Sequence, residues 1–286
     1  MYKPLALMIS PPESTSRVFQ EQKMDRPQSF PLAGGEAAVY SARCPGKLTA
    51  NEDGAVLLAT TASTAVIAVA DGVGGMPRGE KASQLVLATL ANQVCKAAGD
   101  RFQRRALIVE GIDSANLATR RLGGGSTLCA IDIHGRDIRT FHVGDSAMMV
   151  VGGRGKIKLR SIPHSPVGHL FEMGMISEQE AMHHEERHLV LNVIGCEEMR
   201  IEIGPAHRMA PHDTLIVASD GLWDNLYLDE VAELALLQPL VDAVSQLAAA
   251  AAARMVQTTS GIPGKPDDLT IVAFRPSRRG EDRGRA

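Results

Sequence analysis

The chain has 286 residues, 44% of them hydrophobic, enough apolar content for one large core or two small ones. A net charge of −3 and only 3% aromatic residues exclude the basic, ring-rich face of a nucleic-acid binder. Cys44, Cys95, Cys129 and Cys196 are widely spaced with no C-x-x-C pair, so they read as buried thiols of a reducing compartment, and the expected localisation is cytoplasmic.

Residues 1–35 mix Pro, Ser, Gln and charges without any period and end in Gly34-Gly35, which predicts a mobile N-terminal tail and a fold starting near Glu36. The run LALMIS within it is too short for a secretory apolar region. Strands are predicted at 37–43, 54–59, 64–70, 126–133, 138–143, 147–151, 156–162, 214–219 and 269–274. Between them, helical patterns fill Gly79 to Ala98, Phe102 to Leu122, Ser177 to His188 and Asp229 to Met255. The apolar stretch from Val56 to Ala70 is broken by threonines and a serine and falls short of the ~18 residues of a membrane span. It reads as two strands and a turn, and no membrane partner is expected. Short turns at His134-Gly135 and Gly152-Gly153 make 126–162 an antiparallel meander, so the class is α+β. Residues 276–286 form a basic, arginine-rich C-terminal tail.

Three times an apolar strand ends in an aspartate beside a small residue: VIAVAD at Asp71-Gly72, FHVGD at Asp145-Ser146 and LIVASD at Asp220-Gly221. One such case is an ordinary turn. Three in one chain predict a sheet that delivers carboxylates to a single rim, and Glu52-Asp53 and Asp267-Asp268 flank strands that would join it. Crowded carboxylates raise one another's pKa and persist where cations neutralise them; oxygen ligands without Cys or His favour Mg²⁺ or Mn²⁺. The glycines Gly72, Gly74 and Gly75 suit close backbone approach to a metal or phosphate. Gly123 to Thr127 is read as a turn before a core strand, since no lysine follows as in a nucleotide-binding loop.

The motifs NED, ADGVGG, GGGST, HVGDS, SDGLWD and PDDLT, in this order over about residues 37 to 274, resemble those of the metal-dependent protein phosphatase family, protein phosphatase type 2C, in its bacterial form. The resemblance implies a central β-sandwich of two antiparallel sheets flanked by helices in four αββα layers, within a catalytic domain at 36–275. It implies metal-dependent hydrolysis of phosphoserine and phosphothreonine in proteins, by a water that two Mn²⁺ or Mg²⁺ ions activate. Carried over, Asp71 and Asp220 are the catalytic pair; Glu52, Asp71, the Gly72 carbonyl, Asp220 and Asp267 hold the two ions. Asp53 stands in the outer coordination sphere, and Asp145 joins Asp220 at a third, weaker ion. Residues 163–195 resemble the family's variable flap, with Ser177 and Glu180 forming a capping box. The partners implied are phosphoproteins whose modification a serine/threonine kinase supplies.

The chain departs from the family pattern in four places. Val73 stands where eukaryotic members have a histidine, Ala147 where an arginine is usual, and Asp268 where an asparagine is usual; the last two are expected to lie clear of the metal ligands. The phosphate arginine of G-x-V-R-x-x-N-E-D is also missing, since Leu48 or Thr49 occupies its place. Lys47 is the nearest cation, and it is expected to bind the substrate phosphate if the turn at Gly46 shifts the local register. Two rival readings stand beside this one: a catalytically weak phosphoprotein-binding module, and a zinc peptidase through HEERH at His184 to His188, against which Glu186 and Arg187 weigh.

Overall fold

In the computed structural model of the chain, the described residues are 16–76, 78–97, 100–257 and 261–277. The strands are β1 (Ser16–Gln20), β2 (Gln28–Leu32), β3 (Gly35–Ala42), β4 (Gly54–Thr61), β5 (Thr64–Ala70), β6 (Leu128–His134), β7 (Asp137–Val143), β8 (Ala147–Val151), β9 (Ile157–Arg160), β10 (Glu202–Ile203), β11 (His207–Arg208), β12 (Thr214–Ala218) and β13 (Leu269–Pro276). The helices are α1 (Gly79–Val94), α2 (Arg101–Leu122), α3 (Pro166–Glu172), α4 (Glu178–His183), α5 (Asp220–Trp223), α6 (Leu228–Leu234) and α7 (Leu240–Val256).

The strands form two antiparallel sheets. One runs β1-β4-β5-β6-β7-β10, with β11 also on β7, and the other runs β2-β3-β13-β12-β8-β9. Strand alternation explains why β5 (TAVIAVA) reads as an unbroken apolar run. Ala65, Ile67 and Val69 point into the core between the sheets, while Val66, Ala68 and Ala70 pack outward under α1 and α2. In β12, Leu215 and Val217 likewise face the inter-sheet core, and Ile216 and Ala218 face α5, α6 and α7. A strand covered on both faces has no solvent side to mark with polar residues. The result is the four-layer αββα sandwich.

The fold starts earlier than Glu36. β1 pairs with β4 and β2 with β3, and Phe19, Met24 and Leu32 enter the inter-sheet core. These are edge strands, each with one buried residue, so residues 16–35 carry no apolar period to read. Pro31 sits in β2, where an edge tolerates a missing donor. Residues 1–15 and 278–286, part of the first expected tail and most of the second, lie outside the described residues, while Pro276 ends β13 opposite Gly35. The helical stretch from Asp229 to Met255 is two helices, because Pro239 cannot continue the first and instead caps the second. The described residues contain no helix long and apolar enough to cross a membrane.

Candidate metal centre

Strand register brings the carboxylates together. Gly54 at the start of β4 pairs with Ala70 at the end of β5, which sets Glu52-Asp53 beside Asp71. Ala218 pairs with both Ile271 and Ala147, so Asp220, Asp267 and Asp145 meet where β12, β13 and the β7–β8 turn share one end. The site thus spans the two sheets: Asp71 comes from one, Asp220 and Asp267 from the other, and Asp145 from the turn between them.

Hydroxyls knit this rim together. The Asp71 amide donates to Thr127 Oγ1 at 3.1 Å, the Ser126 hydroxyl donates to the Asp71 carbonyl at 2.9 Å, and Thr127 Oγ1 meets Ser146 Oγ at 2.6 Å. The GGGST stretch is therefore the turn expected and also the clamp on Asp71. The Ser219 hydroxyl donates to Asp53 Oδ2 at 2.6 Å, so Asp53 stands behind Asp220. Gly72 approaches α1 so closely that a Cβ there would lie 2.3 Å from the Gly79 backbone, and the Gly72 amide donates to the Glu52 carbonyl at 3.1 Å.

Asp268 does not lie clear of the expected ligands. Its Oδ2 accepts from the Glu52 amide at 2.7 Å and its Oδ1 from the Cys44 amide at 2.8 Å. A carboxylate in that buried place needs a counter-charge, and Lys47 Nζ supplies it at 2.7 Å while also reaching Glu52 Oε2 at 2.8 Å. Lys47 gets there because 43–53 is a turn and irregular chain rather than strand: the Lys47 amide donates to the Cys44 carbonyl and Gly46 is left-handed at φ 82. Leu48, by contrast, is 92% exposed.

Burial, then the neighbouring carboxylates Asp53, Asp220, Asp267 and Asp145, push the Asp71 carboxyl well above the usual carboxylate range. Burial followed by Asp220 does the same to Asp145 and Asp267. Asp53 Oδ1 and Asp220 Oδ1 are buried and find no hydrogen-bond partner among the described residues. Orphaned carboxylate oxygens in a crowded, all-oxygen set are what a hard divalent cation satisfies, so these residues fit Mg²⁺ or Mn²⁺.

A family model described as protein phosphatase 2C matches residues 47–258. The chain belongs to the protein phosphatase 2C family. Over 240 residues it is 30% identical to the serine/threonine protein phosphatase PstP of Mycobacterium tuberculosis (strain CDC 1551 / Oshkosh), covering 82% of this chain but 44% of that protein. The chain therefore spans less than half the length of this curated relative. Among solved structures it resembles the serine/threonine phosphatase of S. agalactiae, with a TM-score of 0.72, 25% identity and coverage of 84% of this chain and 99% of that one. It also resembles the catalytic domain of PstP in complex with two manganese ions, with a TM-score of 0.64, 26% identity and coverage of 84% and 96%.

Within this family frame, the peptidase reading of HEERH fails on geometry. His184 is extended, Glu185–His188 is a 3₁₀ turn rather than an α-helix, and His188 is exposed, so the two imidazoles do not face one ion from successive helical turns. His142, His164 and Glu202 do bring ligand atoms within 4.8 Å of one another. The two rings are stacked, however, with centroids 4.2 Å apart and planes at 24°, so their lone pairs run alongside rather than converge. His164 Nδ1 already accepts from the Gly144 amide, which leaves the proton on Nε2 for Glu202 at 3.1 Å. The pair braces the Asp145 turn.

Sequence reasoning missed Lys265 and Asp224. Lys265 Nζ contacts Asp220, Asp224 and Asp267. Asp224 lies inside the quoted SDGLWD motif, one helical turn after Asp220, and that spacing was its signal. Lys265 precedes PDDLT with no pattern of its own.

Proposed function

We propose that this domain hydrolyses phosphoserine and phosphothreonine in proteins with the help of two divalent cations, Mn²⁺ or Mg²⁺. The observation that carries this reading is the convergence of Glu52, Asp71, Asp220 and Asp267 from both sheets onto one rim, with Asp220 Oδ1 lacking a partner among the described residues. Asp71 would bridge the two ions, Asp220 and Asp267 complete one site, and Glu52 with the Gly72 carbonyl completes the other. When bound, such ions lower the pKa of a water nucleophile and offset charge on the phosphoryl oxygens.

The chain's own residues do the rest. Asp53, gripped by Ser219, adds negative charge behind the ligands, and Thr127 keeps Asp71 aligned with the Asp145 turn. Two of the three Lys47 N–H donors are engaged by Glu52 and Asp268, and the third serves a phosphoryl oxygen. Asp145 and Asp220 are the positions at which the family pattern would place a third, weaker ion. The substrates are phosphoproteins of the cytoplasm, modified by a serine/threonine kinase.

The test is hydrolysis of p-nitrophenyl phosphate and of a phosphothreonine peptide with and without Mn²⁺ or Mg²⁺. Turnover should require the metal, and Asp71→Asn or Asp220→Asn should lower it by orders of magnitude. Turnover that survives excess chelator, or that is unchanged in either variant, overturns the reading. Peptide binding without any turnover would assign the domain to the binding-module alternative.

A further inference from the structure

The acidic rim carries a cation of its own. Lys265 Nζ lies 2.5 Å from Asp220 Oδ2, 2.8 Å from Asp224 Oδ2 and 3.3 Å from Asp267 Oδ2, with its side chain only 19% exposed. An ammonium has three N–H donors, and here three carboxylates surround it.

The loop that presents this lysine is tied down from several directions. The fully buried Asn225 accepts from the Lys265 amide through Oδ1 at 2.9 Å and donates from Nδ2 to the Lys265 carbonyl at 3.0 Å. The same Asn225 Nδ2 donates to Gly221 O at 2.9 Å, next to Asp220. Arg254 from α7 donates to the Asn225 carbonyl at 2.7 Å, and Arg187 from the flap donates to the Gly264 carbonyl at 3.0 Å. A long, flexible side chain ordinarily loses much entropy when it is fixed. Pinning its backbone on both polar atoms reduces the freedom left to lose.

We propose that Lys265 is a tethered cation of the metal centre, which supplies one positive charge to Asp220, Asp224 and Asp267 and limits the rim to two divalent ions. The inference rests on the metal-dependent reading above. Asp220 Oδ1, which has no partner among the described residues, stays open to the ion shared with Asp267, whereas a third ion held by Asp145 and Asp220 would have to take Asp220 Oδ2 from the ammonium or lie at close range to it. In a desolvated cluster, like charges at such range repel strongly. The lysine thus does the neutralising work of a further ion without leaving the chain.

The experiment is calorimetric titration of the full chain with Mn²⁺, comparing wild type with Lys265→Met, and thermal unfolding of both in chelator. Wild type should take two ions. Lys265→Met should take a third, or bind its ions about tenfold more tightly, and should melt at a lower temperature in chelator because its carboxylates have lost their counter-charge. Identical stoichiometry and affinity in the two proteins overturn the inference while the two-metal reading stands, as does a third ion in wild type. No Mn²⁺ binding by either protein overturns the two-metal reading itself, and the inference with it. Should Lys265→Met fail to fold, the wild-type ammonium can be followed by ¹⁵N NMR, assigned with Lys265→Arg. Its signal should stay protected from solvent exchange after two equivalents of Mg²⁺, and its collapse to the position of a free lysine overturns the inference.

Discussion

His164 holds Gly144 by both of its backbone polar groups: the His164 amide donates to the Gly144 carbonyl at 2.9 Å, and the Gly144 amide donates to His164 Nδ1 at 3.1 Å. Asp145 follows directly, so the start of the segment 163–195 and the acidic rim share one turn. Replacing His164 by Ala leaves the buried Gly144 amide without its acceptor, at a cost of about 1–3 kcal/mol. Chemical denaturation should show that loss, and Mn²⁺ activation should need a higher metal concentration. Unchanged stability would mean that the turn holds itself.

His142 supplies a pH dependence. Burial first, and the stacked His164 ring second, push its imidazole down to about 4, against a smaller opposing pull from Glu202. The unfolded chain therefore takes up a proton that the fold refuses. Stability from this residue is fully present above about pH 6.5 and is lost as the pH falls toward 4, on the order of 2–3 kcal/mol. The crowded carboxylates, with raised values, act in the opposite sense in chelator, so the measurement is the difference between wild type and His142→Gln. Urea midpoints at pH 7.5 and pH 5 should converge in that comparison as the pH falls.

Lys47 tests how the phosphate is gripped. A charge-assisted contact is worth roughly 1.5–3 kcal/mol, so Lys47→Ala should raise the Michaelis constant by about one to two decades. An unchanged constant, together with a lowered one in Leu48→Arg, would assign Lys47 solely to Asp268 and Glu52.

Two glycines should behave in opposite ways. A Cβ at Gly221 would stand 2.0 Å from the Asp268 carbonyl, while one at Gly74 would meet nothing within 4 Å. Gly221→Ala should cost about 1–3 kcal/mol by overpacking and weaken metal binding by displacing the Asp267-Asp268 loop. Gly74→Ala should stay within about 0.5 kcal/mol of wild type.

A variant beginning at Glu36 removes β1 and β2, and with them Phe19, Met24 and Leu32 from the inter-sheet core. Each buried apolar side chain contributes about 1.5–3 kcal/mol. The shortened chain should melt well below the full one by calorimetry; equal melting temperatures would show these edge strands to be dispensable.

The sequence by itself determined the α+β class and the acidic rim, and the order of its motifs implied the sandwich by resemblance. β5 and β12 are covered on both faces, so their apolar runs stop only where the chain leaves the sheet, and Asp71 and Asp220 at or just past those stops stand out. The Ser177–Glu180 capping box was legible for a similar reason, being a contact between residues three apart. Tertiary structure alone decided the rest. Lys47 meets Asp268 across 221 residues, Lys265 meets Asp220 across 45, and His164 meets Gly144 across 20, with no periodicity linking any of these pairs. β1 and β2 escaped notice because an edge strand buries too few residues to alternate. Periodicity records which face of an element meets the core; it carries no information on which distant polar groups that packing brings within hydrogen-bonding range.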